Sequence, residues 1–276
     1  MKKKILILFL FVGSICIAQK EAIELPKGYG FTVKYSKKTI TPLFSIYINK
    51  KGDVRFENIK LSVDQLGDSL LKYREQLRPE LMPWLLTLIH ADKNTPYKHV
   101  ENVKSQMSSA LLLSTIYRTG HIDDINCGFS VRLNKKSLIP EKKLPIVENT
   151  GDILFEDISI TQDPIYQMID DLYELKFTSA KKILKSYNYK KVAFYNDEKL
   201  KINGKKFRLD DKEGVYKELK DTYFVFTFPN PKMTYETYIK NMSLLTKIYK
   251  DNKMSPAFVE ISSDLQKIMK TQKIKL

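Results

Sequence analysis

Residues 89–100, with the sequence IHADKNTPYKHV, join the end of an apolar segment to the start of an amphipathic one. The apolar segment that leads into them, residues 85–89, is typical of a central strand, and apolar residues recur at helical spacing after them. Thr95 is a residue type that caps helices, and Pro96 is tolerated in a first helical turn. The stretch therefore predicts a strand, a short loop and a helix that begins near Pro96.

A second stretch of the same kind lies 138 residues further along the chain. Residues 229–235, PNPKMTY, align without a gap with residues 91–97, ADKNTPY. A hairpin with a tight Asn-Gly turn, a short helix and an apolar strand precede the second stretch, and a helix and a last strand follow it. We therefore predict two tandem copies, at roughly residues 45–133 and 191–263, with an eight-residue insertion near residues 77–84 of the first.

The pattern predicts individual elements in both copies. In the first copy, Ser62 and Gln65 form a capping-box sequence that opens a helix, and the helix from Pro96 is expected to run to near Gly120. Further expected strands are residues 31–35, 43–48, 54–56, 85–89, 125–133, 199–207, 223–228 and 256–262, and further helices are 165–175, 180–187, 210–220 and one from Thr234.

The order of elements resembles the soluble domain of ExbD and TolR, the small subunits of bacterial proton-driven motors. Residues 46–53, IYINKKGD, are similar to the hairpin of that family, and residues 91–103 are similar to its "aD…py..v..v" motif. The resemblance implies an α/β (α+β) fold of two small mixed β-sheet domains, each covered by two helices. It also implies a binding or dimerising role rather than proton conduction, because the apolar leader contains no acid. In the second copy Asn230 replaces Asp92 and Thr234 replaces Pro96, as in a degenerate scaffold.

The first residues read as a secretory leader. Three lysines precede an apolar stretch of about fourteen residues, which would span about 21 Å of a hydrocarbon core that is roughly 30 Å thick. We expect cleavage after Ala18 and a periplasmic or secreted protein. The expected organisation is residues 1–18 signal peptide, 19–42 lead-in, 43–134 first domain, 135–150 linker, and 151–276 second domain with an N-terminal helical extension.

Composition limits the class of protein and of partner. Hydrophobic residues are 43% of the chain, which is enough for a folded core, and 47 basic against 32 acidic residues give a net charge of +15. No dense basic tract with interleaved aromatics is apparent, so nucleic acid is not expected. The expected partner is an envelope protein or a cell-wall polymer, bound at an exposed sheet edge. Homodimerisation stays open, as does membrane attachment through an uncleaved leader.

No sequence motif nominates catalytic, cofactor-binding or metal-binding residues. The three histidines and the one cysteine of the mature chain lack the spacing of a zinc site, and no P-loop or nucleophile elbow is present. The candidate partner contacts are therefore Asp92, Pro96, Tyr97 and Tyr235, for which capping and packing are the structural alternatives. The leading hypothesis is a non-enzymatic envelope protein, and the alternatives are a membrane-anchored accessory subunit of a motor and a hydrolase with a site assembled from scattered residues.

Overall fold

The first half of the chain forms a six-stranded mixed sheet in the computed structural model. The structure describes residues 23–27, 43–120, 127–134, 137–138, 164–195, 199–254 and 257–276. Aromatic and β-branched residues favour the strands, and the Ser62–Gln65 capping box opens the first helix as predicted. The elements are β1 (Leu43–Ile48), β2 (Val54–Phe56), β3 (Ile59–Leu61), α1 (Val63–Gln76), a 3-10 helix (Pro79–Trp84), β4 (Leu86–Ala91), α2 (Tyr97–Ser109), β5 (Ser114–Arg118) and β6 (Gly128–Arg132).

The second half forms a five-stranded mixed sheet. Asn203 and Gly204 both have positive φ in the turn between two of its strands, which is the conformation that favours an Asn-Gly sequence. The elements are α3 (Pro164–Tyr173), α4 (Phe177–Leu184), β7 (Tyr189–Phe194), β8 (Lys199–Ile202), β9 (Lys205–Arg208), α5 (Lys212–Leu219), β10 (Phe224–Phe228), α6 (Tyr235–Asp251), β11 (Ala257–Glu260) and α7 (Ser263–Thr271).

The two sheets share one topology. The first has the order β3-β2-β1-β4-β5-β6 and the second the order β11-β10-β7-β8-β9. Read from its other edge, as β9-β8-β7-β10-β11, the second sheet matches the first five strands of the first. In both, the two pairs on the hairpin side are antiparallel and the next two pairs are parallel. The first sheet adds β6, antiparallel to β5. The 3-10 helix Pro79–Trp84 lies where the sequence places the insertion.

The described residues therefore form a mixed α/β protein of the α+β kind, with two mixed sheets and seven α-helices. Among these residues, no helix has the length and apolar character needed to cross a membrane. The expectation of two covering helices per sheet is too simple, because a second apolar cluster packs α3, α4 and α7 against the opposite face of the second sheet.

The main hydrophobic core is common to both copies. One buried cluster contains Ile46 and Ile89 from the first sheet, Val192 and Val225 from the second, and apolar residues of the helices α1, α2, α5 and α6. Burial of the apolar surface of these residues is the main stabilising contribution to the fold. The two copies thus depend on each other for burial.

Three local predictions differ from the structure. The helix α2 ends at Ser109 rather than near Gly120, because Leu111 takes a positive φ of 58° and the β-branched residues that follow form β5. Thr95 does not cap α2: Pro96 occupies the cap position, and the Thr95 hydroxyl donates to the Asn49 carbonyl at 3.0 Å. The helix α7 was not expected. The predicted strand 31–35, the leader and most of the linker lie outside the described residues.

Candidate functional site

The two matching loops ahead of α2 and α6 bind each other. The backbone N–H of Tyr97 donates to the Met233 carbonyl at 2.8 Å, and that of Tyr235 donates to the Thr95 carbonyl at 2.8 Å. One residue further on, the N–H of Lys98 donates to Pro231 and that of Glu236 donates to Lys93, each at 3.0 Å. With the offset of 138 residues, these four bonds are two equivalent pairs, so the contact is reciprocal.

The reciprocal contact explains why the loop shape occurs twice. The first N–H groups of a helix have no partner within the helix, and a buried helix start needs acceptors from elsewhere. Here each loop supplies carbonyl acceptors to the first turn of the other copy's helix. The motif that the sequence singled out is therefore the joint between the copies.

Asp92 has a local structural role. Its side chain accepts hydrogen bonds from the backbone N–H of Asn94 at 2.9 Å and of Glu24 at 3.1 Å, and only 5% of the residue is exposed. The equivalent residue Asn230 accepts from the N–H of Lys232 at 3.0 Å in the same turn. In the second copy, an amide oxygen thus accepts the hydrogen bond of the turn that a carboxylate accepts in the first.

Replacing Asp92 by asparagine tests this role. We expect Asp92→Asn to change the free energy of unfolding by less than about 1 kcal/mol, because the amide oxygen keeps the acceptor of the turn. Urea unfolding followed by circular dichroism measures the change. Asp92→Ala is the comparison and should cost about 1–2 kcal/mol, because the N–H groups of Glu24 and Asn94 lose their acceptor in two partly buried hydrogen bonds. Equal losses in both variants would show that the charge itself matters.

Tyr97 and Tyr235 lie in the interior. Neither residue has exposed surface, so neither side chain is available to a separate partner. Tyr97 stacks on Tyr238 of the other copy, with ring centres 4.0 Å apart, and Tyr235 lies edge-on to Tyr117 at 6.0 Å. These two ring contacts are with the opposite copy of the same chain. The sequence led us to expect contacts with a separate partner at these tyrosines. Pro96 is half-buried in the joint, beside Thr234.

A buried charged cluster continues from these tyrosines. The Glu260 carboxylate accepts hydrogen bonds from the hydroxyls of Tyr97 and Tyr238, each at 2.7 Å, and pairs with the Lys104 ammonium at 2.5 Å. Lys104 also donates to the Tyr97 hydroxyl at 2.8 Å and lies over the rings of Tyr97, Tyr117 and Tyr238. One carboxylate of the second copy thus neutralises a cation of the first.

The lysine and the tyrosines of the cluster have shifted pKa values. Burial alone lowers the pKa of the Lys104 amine, but the Glu260 carboxylate and the Tyr117 hydroxyl outweigh it, so the pKa is raised. Burial, with the Glu260 charge as the second cause, raises the pKa of Tyr97 and of Tyr238 well above the usual value. A permanently charged amine and neutral tyrosines suit a structural joint and provide no general base near neutral pH.

A cavity of about 80 Å³ lies beside the cluster, between the copies. Lys104, Tyr173, Tyr238, Glu260 and Ser262 are among the residues that line it. The described lining residues include no histidine or cysteine, and the described part of the chain holds no cluster of metal-binding side chains. The cavity has room for a few water molecules.

The two equivalent tyrosines allow a matched test of the cluster. Tyr97→Phe removes a hydroxyl that bonds both Glu260 and Lys104, so we expect a loss of about 1.5–3 kcal/mol of stability. The Tyr235 hydroxyl is buried without a hydrogen-bond partner among the described residues, so Tyr235→Phe should be neutral or slightly stabilising. Thermal unfolding of the two variants measures the difference, and equal effects would contradict this assignment.

A second candidate surface is the outer face of the strands β7, β8 and β9. Val192, Leu200 and Phe207 point into the main core, and because side chains alternate along a strand, their neighbours point to the other face. This outer face carries five basic residues, which we call the basic face: Lys191, Lys199, Lys201, Lys206 and Arg208.

Two lysines of the basic face have no carboxylate partner in the part of the chain that the structure describes. Arg208 pairs with Asp210 at 3.0 Å, but neither Lys201 nor Lys206 has a carboxylate partner among the described residues. At the equivalent place in the first sheet, Lys60 pairs with Asp53 at 3.6 Å. The excess charge is therefore local to the second copy. It was missed in the sequence because its lysines alternate with core residues rather than forming a dense tract.

Comparison with known proteins finds no matching family model, no matching curated protein and no matching solved structure. The class of the protein therefore rests on its own geometry: two sheets of one topology, joined by reciprocal loops, with one basic outer face. The relation to the soluble domain of ExbD and TolR stays a hypothesis from the sequence.

Proposed function

We propose that this chain is a secreted, non-enzymatic binding or scaffold protein of the cell envelope, and that it holds an acidic partner on the basic face of its second sheet. The observation that carries the proposal is that Lys201 and Lys206, which face each other across β8 and the edge strand β9, have no carboxylate partner among the described residues. The first copy, with its balanced edge, serves as the structural half of a joined pair. In this proposal the protein is related to the soluble domain of ExbD and TolR and lacks their proton-conducting helix.

The geometry around β9 favours binding of an extended partner. Among the described residues, β9 is the last strand of its sheet and pairs only with β8. Such a strand presents one row of backbone donors and acceptors to an added strand. Its flanking lysines attract a negatively charged chain and disfavour self-association with another basic strand. The expected partner is an envelope protein segment or a cell-wall polymer that carries acidic groups.

The experiment compares two pairs of lysines that change the net charge equally. Lys201→Gln with Lys206→Gln removes charge from the basic face, and Lys60→Gln with Lys72→Gln removes the same charge from the first copy. We expect the first pair to weaken retention of the acidic envelope component about 5- to 30-fold, since each exposed charge contributes roughly 0.5–1 kcal/mol. The control pair should retain it as the unmodified protein does.

Retention is measured by pull-down from envelope extracts at low and high salt, followed by mass spectrometry. Loss of retention at high salt is expected because exposed charges are screened within about 8–10 Å. Equal retention by both double variants would refute a role of the basic face. A mature N-terminus at Gln19 in the same spectra would support secretion, whereas an intact leader would favour the membrane-anchored alternative.

A further inference from the structure

A groove of about 670 Å³ lies on the outer face of the second sheet, and two residues of the basic face line it. Its lining includes the rings of Tyr189 and Phe228 and the side chains of Lys191, Lys201 and Asn203. The volume lies in the range of small-molecule sites, which is about 300–1,000 Å³. Unlike the small cavity between the copies, this groove can hold a ligand of several rings.

The residues that line the groove carry hydrogen-bond donors and include no acidic side chain. The Lys191 ammonium donates to the backbone oxygen of Leu276 at 2.9 Å, which leaves further N–H groups for a ligand. The Lys201 ammonium lies 5.8 Å from the Tyr195 ring centre. The Asn203 side-chain oxygen accepts from the N–H of Lys191 at 3.0 Å, so its amide nitrogen remains a donor. A ligand that fits must therefore bring acceptors and negative charge.

Lys191 and Lys201 are spaced so that they can bind two successive negative charges of one ligand. Lys201 lies directly across from Ala193 in the ladder, and Lys191 is two residues earlier on the same strand as Ala193. Such diagonal neighbours have Cα atoms roughly 7–8 Å apart. At the end of the groove, a side chain added at Gly204 would meet no atom within 4 Å. The groove is therefore open there, and a chain-like ligand can continue beyond it.

The location on a sheet face decides between a peptide and a sugar chain. Backbone groups of the sheet are paired within it, so a peptide here could not add as a strand, as it could at β9. Binding must use side chains alone: aromatic rings for apolar C–H surfaces and ammonium groups for carboxylates. A chain of pyranose rings that carry carboxylates offers C–H surfaces to the aromatic rings and, on each sugar, a carboxylate to an ammonium group.

We propose that the groove of Tyr189, Phe228, Lys191 and Lys201 binds a polysaccharide of carboxylate-bearing sugars. The inference rests on the proposed function, because it names the chemical class of the acidic partner. In this arrangement the ring of a sugar packs on Tyr189 or Phe228, while Lys191 and Lys201 pair with carboxylates of successive sugars.

Binding of defined polymers to the full chain tests the proposal. Oligogalacturonate is the probe, poly-glutamate matches its charge without sugar rings, and dextran has the rings without charge. Isothermal titration should show binding of oligogalacturonate in preference to both. Lys201→Gln and Tyr189→Leu should each weaken it about fivefold or more. Lys60→Gln should leave it unchanged, and thermal unfolding verifies that each variant is folded.

The outcomes separate this inference from the proposed function. Equal binding of poly-glutamate and oligogalacturonate, with Tyr189→Leu having no effect, would overturn the sugar assignment and leave an acidic partner in place. If neither anion binds, or if Lys201→Gln binds them as tightly as the unmodified protein, the sugar assignment and the acidic partner are both overturned. Tighter binding of an oligothymidylate than of oligogalacturonate would also overturn both, because the partner would be a nucleic acid.

Discussion

Glu260→Gln is expected to lower the stability of the whole chain by about 3 kcal/mol. The carboxylate accepts from two tyrosines and pairs with Lys104, and the side chains of Lys104 and Glu260 are only 12% and 19% exposed. Glutamine has the same size, but it leaves the ammonium without a counter-charge among aromatic rings. Partial exposure allows some water to reach the pair, which keeps the loss below the upper part of the range for buried pairs.

Thermal unfolding should show the effect of Glu260→Gln as a fall in Tm of about 6–12 °C, at roughly 2–4 °C per kcal/mol for a chain of this size. Glu213→Gln is the control, because Glu213 pairs with Lys217 at 2.7 Å on an exposed helix face, and its Tm should not change. In the double variant with Lys104→Met, the loss should be smaller than the sum of the two single losses. If Glu260→Gln unfolds at the same temperature as Glu213→Gln, the pair does not hold the copies together.

The difference between the predicted and observed site has a physical origin. Strand and helix patterns are local, so the core strands β4 and β10 and the Asn203-Gly204 turn could be predicted from periods and turn chemistry. Lys104, Tyr238 and Glu260 lie on three different elements, and only the packing of the two copies brings them together. The only sequence signal for this cluster was Glu260, a single acid at the end of the short apolar strand β11.

The structural role of the loop motif could not be predicted from the sequence for a similar reason. Asp92 and Tyr97 in the loop between a strand and a helix resemble a site for a partner, and the repeat shows that Asn230 accepts the same kind of hydrogen bond in the second turn. Sequence could show that the loop shape occurs twice. It could not show that the two loops donate hydrogen bonds to each other, because that depends on how the copies face one another.

Glu236→Pro tests the joint directly. Glu236 is the second residue of α6, where proline is sterically tolerated in a helix, but its N–H donates to the Lys93 carbonyl of the other copy at 3.0 Å. Glu213 is the second residue of α5, and its N–H has no acceptor among the described residues. The same substitution thus removes an inter-copy hydrogen bond at one position and no bond at the other.

The relevant quantity is the difference between the alanine and proline variants at each position, because alanine removes the side-chain interactions of the glutamate. We expect the step from alanine to proline to cost about 2 kcal/mol more at Glu236 than at Glu213, from the unpaired Lys93 carbonyl and its contact with the proline ring. Urea unfolding of the four variants gives the two steps. Steps of equal size would mean that the reciprocal bonds contribute nothing to stability, and that the copies are held by the shared core and the Glu260 cluster alone. A larger step at Glu236 would show that the reciprocal bonds of the twice-occurring loop help to hold the two copies together, beside the shared core and the Glu260 cluster.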